Sequence, residues 1–481
     1  MFWRGVIGYL PANLVQGLVG LGSIVAFTRL LAPEAYGVYA IAFSVSALAQ
    51  TAIFLWLEAA MARFYAREAE AGALADHFAT LYRTFAAVAV ALPLLGGAVL
   101  WLAPLATPVK LAVGAGLVAV PLRSLLKLAQ EHRRAAGRVS SSALLDMSQT
   151  GGAFLIGTGL AVAGAGGAAP LAGAAIAAAV CLPFVLPGEL KLTAGGRFER
   201  ERAWDYARYG LPVALSLILA LALSTTDRFM LAAFLGEAKV GVYHAGYSLS
   251  NRTLDVLFIW LGMAGGPAAV AALERGGHKA LAETAREQAS LMVLICFPAA
   301  AGLALVARPL AQLMVGEAMS TGAAAVTPWI AFSGLCAGIT TYYFHTAFTL
   351  GRRTSLLLAA MAVPASANLL LTWILIPRFG LEGAMWATAA SYLIGLVASW
   401  GLGRGVTPLP IPWDAVGRCA VATAGMAVAV SLLPAVGGWL ELFGKASLGA
   451  VVYAALAAAL DAGGVRSKAA QLVRARHGAT A

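Results

Sequence analysis

Charged residues are scarce in this sequence. Only 11% of its 481 residues are charged and 60% are hydrophobic, whereas roughly a quarter of the residues in soluble domains are charged. The four cysteines stand singly in apolar stretches, without the spacing of a metal or redox pair. A glycine-rich phosphate loop and a nucleophile elbow are also missing. These absences argue against a soluble domain and against an enzyme, and they predict neither a cofactor nor a metal site.

Long apolar stretches recur along the whole chain. Each is long enough to cross about 30 Å of hydrocarbon as an α-helix. We therefore predict an all-α polytopic membrane protein with about 14 transmembrane helices. The predicted spans are 8–30, 38–61, 82–104, 110–128, 141–163, 168–187, 209–234, 241–263, 287–307, 325–349, 354–376, 382–403, 416–436 and 446–463.

A sequence motif occurs twice, about 200 residues apart. LAPEAYGVYAIAFSVS at residues 31–46 returns as LGEAKVGVYHAGYSLS at residues 235–250. A second pair of similar stretches begins with Gly-Arg at Gly137 and at Gly351. Six predicted spans separate the copies, so both copies have the same orientation in the membrane. The pattern predicts two parallel six-helix repeats, an arrangement common in transporters, although duplication kept for packing alone would give the same pattern.

The repeat predicts the domain organisation. The N-terminal six-helix lobe covers residues 1–190, and the C-terminal lobe covers residues 209–405. The polar segment at residues 191–208 is predicted to be a cytoplasmic linker between them. Residues 406–481 hold two further helices and a basic cytoplasmic tail.

The net charge of +11 comes from basic residues whose placement along the chain indicates how the protein is oriented in the membrane. If the N-terminus is cytoplasmic, the segments on the inside carry 23 of the 33 basic residues, and the outside segments carry seven. Cytoplasmic segments of membrane proteins carry such an excess of Lys and Arg. We therefore predict that both termini are cytoplasmic and that the charge does not serve nucleic-acid binding.

Three stretches resemble a known family. FTRLLAPEAYGVYAIAFSV, STTDRFMLAAFLGEAKVGVYHAGYSLS and NLLLTWILIPRFGLEGAMWATAASY are similar to polysaccharide flippases of the multidrug/oligosaccharidyl-lipid/polysaccharide exporter superfamily. The resemblance covers residues 5–405 and implies two lobes in a V-shaped arrangement, with two peripheral C-terminal helices. It also implies transport of an undecaprenyl-pyrophosphate-linked glycan across the bacterial inner membrane. Membrane lipids and a polysaccharide polymerase complex are the partners that the resemblance suggests.

Such a substrate carries a doubly charged pyrophosphate, which calls for cations inside the membrane. In the fourth span Arg123, Lys127, Gln130 and Arg134 follow one another at helical spacing, on one face. We interpret this stripe as a phosphate entry track, with Arg123 the deeper member of its pair with Lys127. Snorkelling of long side chains at a helix end is the structural alternative.

Arg252 lies near the centre of the eighth span, with Asp255 three residues later on the same face. Ionisable residues within a span usually mark a substrate or ion pathway. We therefore predict that Arg252 binds the substrate and that Asp255 neutralises it in the empty site. A private ion pair that only fixes the helix is the alternative.

Other polar residues in or near the spans complete the candidate set. Arg29, Asp227 and Arg228 are predicted to form an outer gate or structural pairs. Asp146 and Glu58 are candidate proton carriers, and His345 either titrates near neutral pH or belongs to an aromatic belt. Asn13 and Gln16 either line a cavity or bond to a neighbouring helix.

The main alternative function is drug/cation antiport by a member of the same superfamily. Such antiporters resemble one another in an acidic residue in the first helix, and residues 8–30 contain neither Asp nor Glu. A polysaccharide polymerase or ligase would need a large periplasmic loop. The predicted connections on that side of the membrane are too short to form one. We expect membrane potential to drive transport, with coupling to H⁺ or Na⁺ optional.

Overall fold

The computed structural model describes residues 2–466, with side chains from residue 11 onward except at residue 354. Regular structure in this part of the chain is helical throughout. The α-helices are α1 (Phe2–Leu30), α2 (Pro33–Ile53), α3 (Leu55–Glu70), α4 (Leu74–Leu102), α5 (Thr107–Ala135), α6 (Val139–Val162), α7 (Ala169–Leu192), α8 (Arg200–Leu235), α9 (Glu237–Leu305), α10 (Ala307–Met314), α11 (Glu317–Ile339), α12 (His345–Leu350), α13 (Thr354–Arg404), α14 (Trp413–Ser431) and α15 (Gly438–Ala459). A π-helix, Thr340–Phe344, joins α11 to α12. The basic tail predicted after Arg466 lies outside the described residues.

The predicted number of membrane spans is confirmed. Among residues 2–466, eleven helices are long and apolar enough to cross a membrane. Two of them, α9 and α13, reverse at Gly277 and Gly380, where positive φ angles of 65° and 59° interrupt the helix. Such φ angles are readily adopted only by glycine. Each of these two helices therefore holds two spans, and the 24-residue α6 corresponds to the remaining prediction.

Several boundaries differ from the predicted ones. The span at 38–61 is divided at Phe54, a fully buried residue between α2 and α3. The region between the eighth and ninth spans, interpreted as a cytoplasmic segment, continues as helix on both sides of Gly277. The last span begins at Gly438, eight residues before its predicted start. Hydropathy detects the apolar part of a helix and misses its polar extension.

The chain divides into two compact units, Met1–His244 and Ala245–Ala481. This division falls after the predicted linker, because α8 packs against α2 and α3 of the first unit. The linker itself is tied to the start of α4. The backbone N–H of Arg197 donates to Asp76 at 2.7 Å, and that of Glu199 donates to the Thr80 hydroxyl at 3.1 Å.

Each unit has its own apolar core. In the first unit α6 and α7 pack closely, and buried aromatic residues such as Phe54, Phe78 and Phe85 fill the space between α2, α3, α4 and α5. In the second unit α11 packs against α13 and α14 packs against α15. The outward surfaces remain apolar, as Trp101 at 80% exposure illustrates. Exposed apolar side chains are what a lipid environment requires.

The repeated motif marks a close crossing between the starts of α2 and α9. A Cβ atom on Gly37 would lie 1.8 Å from the carbonyl oxygen of Glu237. A Cβ atom on Gly241 would lie 2.2 Å from the carbonyl oxygen of Pro33. The two equivalent glycines of the repeat thus face each other's backbones, and any side chain there would separate the helices. Close approach of helices in membranes depends on such small residues.

We expect Gly37→Ala to destabilise the protein by about 1–3 kcal/mol, the usual cost of overpacking. The added methyl group would overlap backbone atoms, which cannot move aside as a flexible side chain could. Thermal unfolding of the purified protein in detergent measures the change. Gly97→Ala in α4 is the matched control, since its Cβ would meet nothing within 4 Å. Equal midpoints for the two variants would contradict the assignment of this crossing.

Candidate functional site

Arg123 stands among acidic and polar side chains of the first unit. It lies on α5 and is half-buried, and its Nε atom is buried without a hydrogen-bond partner among the described residues. The acidic side chains that interact electrostatically with it are Glu58 and Asp146, and the Tyr39 phenol is a polar neighbour. A guanidinium has five N–H donors and no acceptor. Arg123 therefore retains unused hydrogen-bonding capacity inside the helical bundle.

Glu58 belongs to the same neighbourhood. It lies on α3, is 8% exposed, and has one carboxylate oxygen buried without a hydrogen-bond partner in the described part of the chain. The positive charges that act on it are those of Lys127 and Arg123. The sequence offered no spacing that connected Glu58 with the cationic stripe. The helices bring them together.

Asp146 connects this neighbourhood to the first helix. Its carboxylate accepts a hydrogen bond from the side-chain amide of Gln16, which joins α6 to α1. Gln16 is exposed, and so is Asn13, one turn earlier. We call Gln16, Glu58, Arg123, Lys127 and Asp146 the charge cluster. It contains two cations and two carboxylates, and it unites residues for which the sequence predicted separate roles.

The rest of the cationic stripe does not continue as an open track. Gln130 is buried, at 7% exposure, and its amide nitrogen has no hydrogen-bond partner among the described residues. Arg134 forms an ion pair with Glu131 at 3.1 Å. The predicted path to the cytoplasmic rim is therefore interrupted at Gln130, and only Arg123 and Lys127 stay together.

Arg252 and Asp255 lie in the second unit, on the first half of α9, and both are exposed. The described residues show no ion pair between them, so the alternative of a private ion pair is not supported, and the substrate-binding role of Arg252 stays a prediction. The Asp255 carboxylate instead accepts a hydrogen bond from the Asn251 amide at 2.5 Å. Arg252 makes no ion pair within residues 2–466, although its charge acts on Asp255 at longer range. Its guanidinium is thus available to an anion.

Asp227 and Arg228 form a buried set in the first unit, at 0% and 5% exposure. Asp227 accepts hydrogen bonds from the Tyr243 hydroxyl and from the backbone N–H of Arg228. The Arg228 guanidinium donates to the Ser44 hydroxyl at 3.4 Å. Such contacts are those of a structural set rather than of an open gate. Arg29, the third residue of that prediction, is exposed at the end of α1.

His345 follows the π-helix and is half-buried. Its Nε2 atom lies 3.3 Å from the Ser399 hydroxyl, and its ring contacts Phe348 at a centroid distance of 6.2 Å. The first contact connects α12 to α13, and the second lies within α12. Of the two interpretations of His345, they favour packing.

Sequence reasoning missed a buried polar network that joins α4, α5 and α7. Glu189 accepts hydrogen bonds from the Tyr82 hydroxyl at 3.0 Å and from His132 at 2.8 Å. The other ring nitrogen of His132 lies 3.1 Å from the Arg138 guanidinium. A second set joins Glu68 to Arg202. These partners are far apart in sequence. The one feature of the sequence that could have indicated the network is Glu189, a glutamate at the end of an apolar span.

Comparison with protein families places a large part of this chain in a known family. Residues 26–321 match a family described as "Polysaccharide biosynthesis protein". No curated protein matches the chain.

The fold is similar to those of solved membrane transporters. A lipid II flippase MurJ structure in an inward closed conformation aligns with a TM-score of 0.75 at 13% identity, covering 95% of this chain and 99% of that one. An inward-facing multidrug resistance MATE family transporter of the MOP superfamily aligns with a TM-score of 0.63 at 14% identity, covering 81% and 94%. An outward-facing structure of a multidrug resistance MATE family transporter aligns with a TM-score of 0.56 at 16% identity, covering 83% and 93%. These likenesses establish the fold.

Proposed function

Since this chain belongs to the polysaccharide biosynthesis protein family, we propose that it is a flippase for a lipid-linked glycan. The substrate is an undecaprenyl-pyrophosphate-linked oligosaccharide, which moves from the cytoplasmic to the periplasmic leaflet of the bacterial inner membrane. Transport follows alternating access, with both termini of the protein in the cytoplasm. The product serves the assembly of exopolysaccharide, O-antigen (lipopolysaccharide) or capsule, and a polymerase complex receives it.

The observation that carries this proposal is the presence of cations within the apolar helices of a chain of this family. A charged residue at the centre of a span costs about 2.5–3.5 kcal/mol on insertion scales, so it is retained where it has a function. Arg252 has no ion pair among the described residues, and Arg123 has a buried donor without a partner. Arginine binds phosphate oxygens through two parallel N–H groups. Both residues suit a pyrophosphate.

The carboxylates of the charge cluster give the empty site its counter-charge. Glu58 and Asp146 offset Arg123 and Lys127 in the absence of substrate. A pyrophosphate that binds the two cations takes over this role. The displaced carboxylates then accept protons or a cation, which gives H⁺ or Na⁺ a place in the cycle without making either the driving force.

The second candidate function is antiport of a drug or small molecule against a cation. The likeness to MATE transporters supports it, and Asp146 brings a carboxylate to the first helix through Gln16. Its weakness is the lack of an acidic residue within the first helix itself. Binding of lipid pyrophosphate, as opposed to organic cations, separates the two functions.

Arg252→Ala is expected to abolish glycan export in cells while the protein still accumulates in the membrane. Loss of a charge-assisted contact to phosphate lowers affinity by about tenfold or more. Surface glycan display, normalised to the amount of membrane-inserted protein, measures the effect. Arg275→Ala, an exposed residue on the same helix, is the control for loss of charge. Normal display by the Arg252 variant would remove this residue from the site.

Combined Arg123→Ala and Lys127→Ala substitution is expected to weaken binding of undecaprenyl pyrophosphate by about tenfold or more. The pair supplies the two positive charges of the charge cluster. Titration of the lipid against purified protein in detergent gives the affinity. Lys110→Ala, at the opposite end of α5, is the control. Unchanged affinity in the double variant would support snorkelling over binding.

An inside-negative potential is expected to accelerate outward flipping in reconstituted vesicles. Moving two negative charges outward through 100 mV gains about 2 × 2.3 kcal/mol. A potassium diffusion potential can be imposed without a pH or Na⁺ gradient. Vesicles that contain the Arg252→Ala variant give the background rate of lipid movement that does not depend on this site. A flipping rate that is unchanged by the potential but increased by a pH or Na⁺ gradient would show instead that ion coupling drives transport.

A further inference from the structure

Tyr342 of the π-helix packs along the first half of α9. Its ring is parallel to that of Phe258, with a centroid distance of 6.1 Å and an interplanar angle of 10°. One turn further on, a Cβ atom on Gly262 would lie 2.2 Å from the Tyr342 ring. The absence of a side chain at Gly262 therefore makes room for this ring, and Tyr342 is half-buried as a result.

The face of α9 that receives Tyr342 also carries Asn251 and Asp255. These two residues, Phe258 and Gly262 follow one another at intervals of four, three and four residues, which places them on one side of a helix. The charge of Asp255 acts on the Tyr342 hydroxyl, and Asn251 donates to Asp255 at 2.5 Å. A carboxylate, an amide and a phenol thus share one face beside Arg252.

Two hydrogen bonds fix the π-helix on which Tyr342 stands. The Gln288 side-chain amide, from the second half of α9, donates to the Tyr342 carbonyl at 3.2 Å. The hydroxyl of the next residue, Tyr343, donates to the Pro410 carbonyl at 2.6 Å. π-Helical turns within α-helices occur frequently at functional sites. The position of Tyr342 is therefore set by the fold and does not depend on a bound ligand.

We infer that Asn251, Asp255 and Tyr342 form a glycan-recognition site next to Arg252. This inference rests on the proposed function, in which Arg252 binds the pyrophosphate. The sugar attached to the pyrophosphate then reaches the neighbouring turn of α9. Its hydroxyl groups donate to the Asp255 carboxylate and exchange hydrogen bonds with the Asn251 amide and the Tyr342 phenol. The protein thereby distinguishes a sugar-bearing lipid from the bare carrier.

Recognition of this kind predicts a difference between two lipids. The probes are undecaprenyl pyrophosphate and the same lipid bearing one N-acetylglucosamine, each titrated against purified protein. Wild-type protein is expected to bind the sugar-bearing lipid about tenfold more tightly, since a site built to hydrogen-bond hydroxyl groups rejects a ligand that lacks them. Tyr342→Phe is expected to remove most of this preference and to leave the affinity for the bare lipid unchanged.

Tyr453→Phe is the matched control, because it removes a hydroxyl on α15 that donates to the Leu294 carbonyl at 2.7 Å and belongs to neither proposed site; it should keep the preference. Equal affinity of wild-type protein for the two lipids would overturn the glycan site while leaving the proposed function intact. An equal loss of affinity for both lipids in the Tyr342→Phe variant would do the same, since it would indicate a structural role for the hydroxyl. Failure of wild-type protein to bind either lipid would instead overturn the proposed function.

Discussion

The energetic cost of a charged side chain in hydrocarbon is the constraint on which this structure depends. Each such residue costs several kcal/mol unless neighbouring groups compensate it. In the first unit the compensation is collective, since the carboxylates of Glu58 and Asp146 act on Arg123. In the second unit Asn251 donates to Asp255, while Arg252 is exposed. The polar residues of the spans therefore occur in groups that compensate one another. Within such a group, a charged residue can exchange a protein partner for a bound ligand.

A second constraint comes from the backbone. The repeated motif brings Gly37 and Gly241 against each other's helices, so each copy of the motif limits what the other can carry. A side chain added to one copy strikes a carbonyl oxygen of the other. This mutual restriction gives the duplication a physical consequence that holds whatever the transported substrate is. Retention of the motif for packing and its use in transport are thus compatible.

Local properties of the sequence predict the fold well and the contacts poorly. Hydropathy located all 14 spans because each depends on its own residues, and helical spacing correctly placed Arg123 beside Lys127 on one helix. Arg252 and Asp255 share a helix face without forming an ion pair, because Asn251, the residue before Arg252, supplies the hydrogen bond to Asp255. The bond between Glu189 and His132 spans 57 residues. Contacts between helices depend on crossing geometry, which spacing along one helix does not contain.

The composition of the charge cluster changes how membrane potential enters the proposed cycle. A purely cationic empty site would be pulled inward by an inside-negative potential on its return. With two carboxylates beside its two cations, the empty cluster carries little net charge when all four groups are ionised. The field then does little work on the return step and acts mainly on the loaded step, where the pyrophosphate adds its negative charges. When no H⁺ or Na⁺ is carried with the substrate, the charge moved per cycle is that of the substrate in either case. The carboxylates then change which step the electrical work drives without reducing its total.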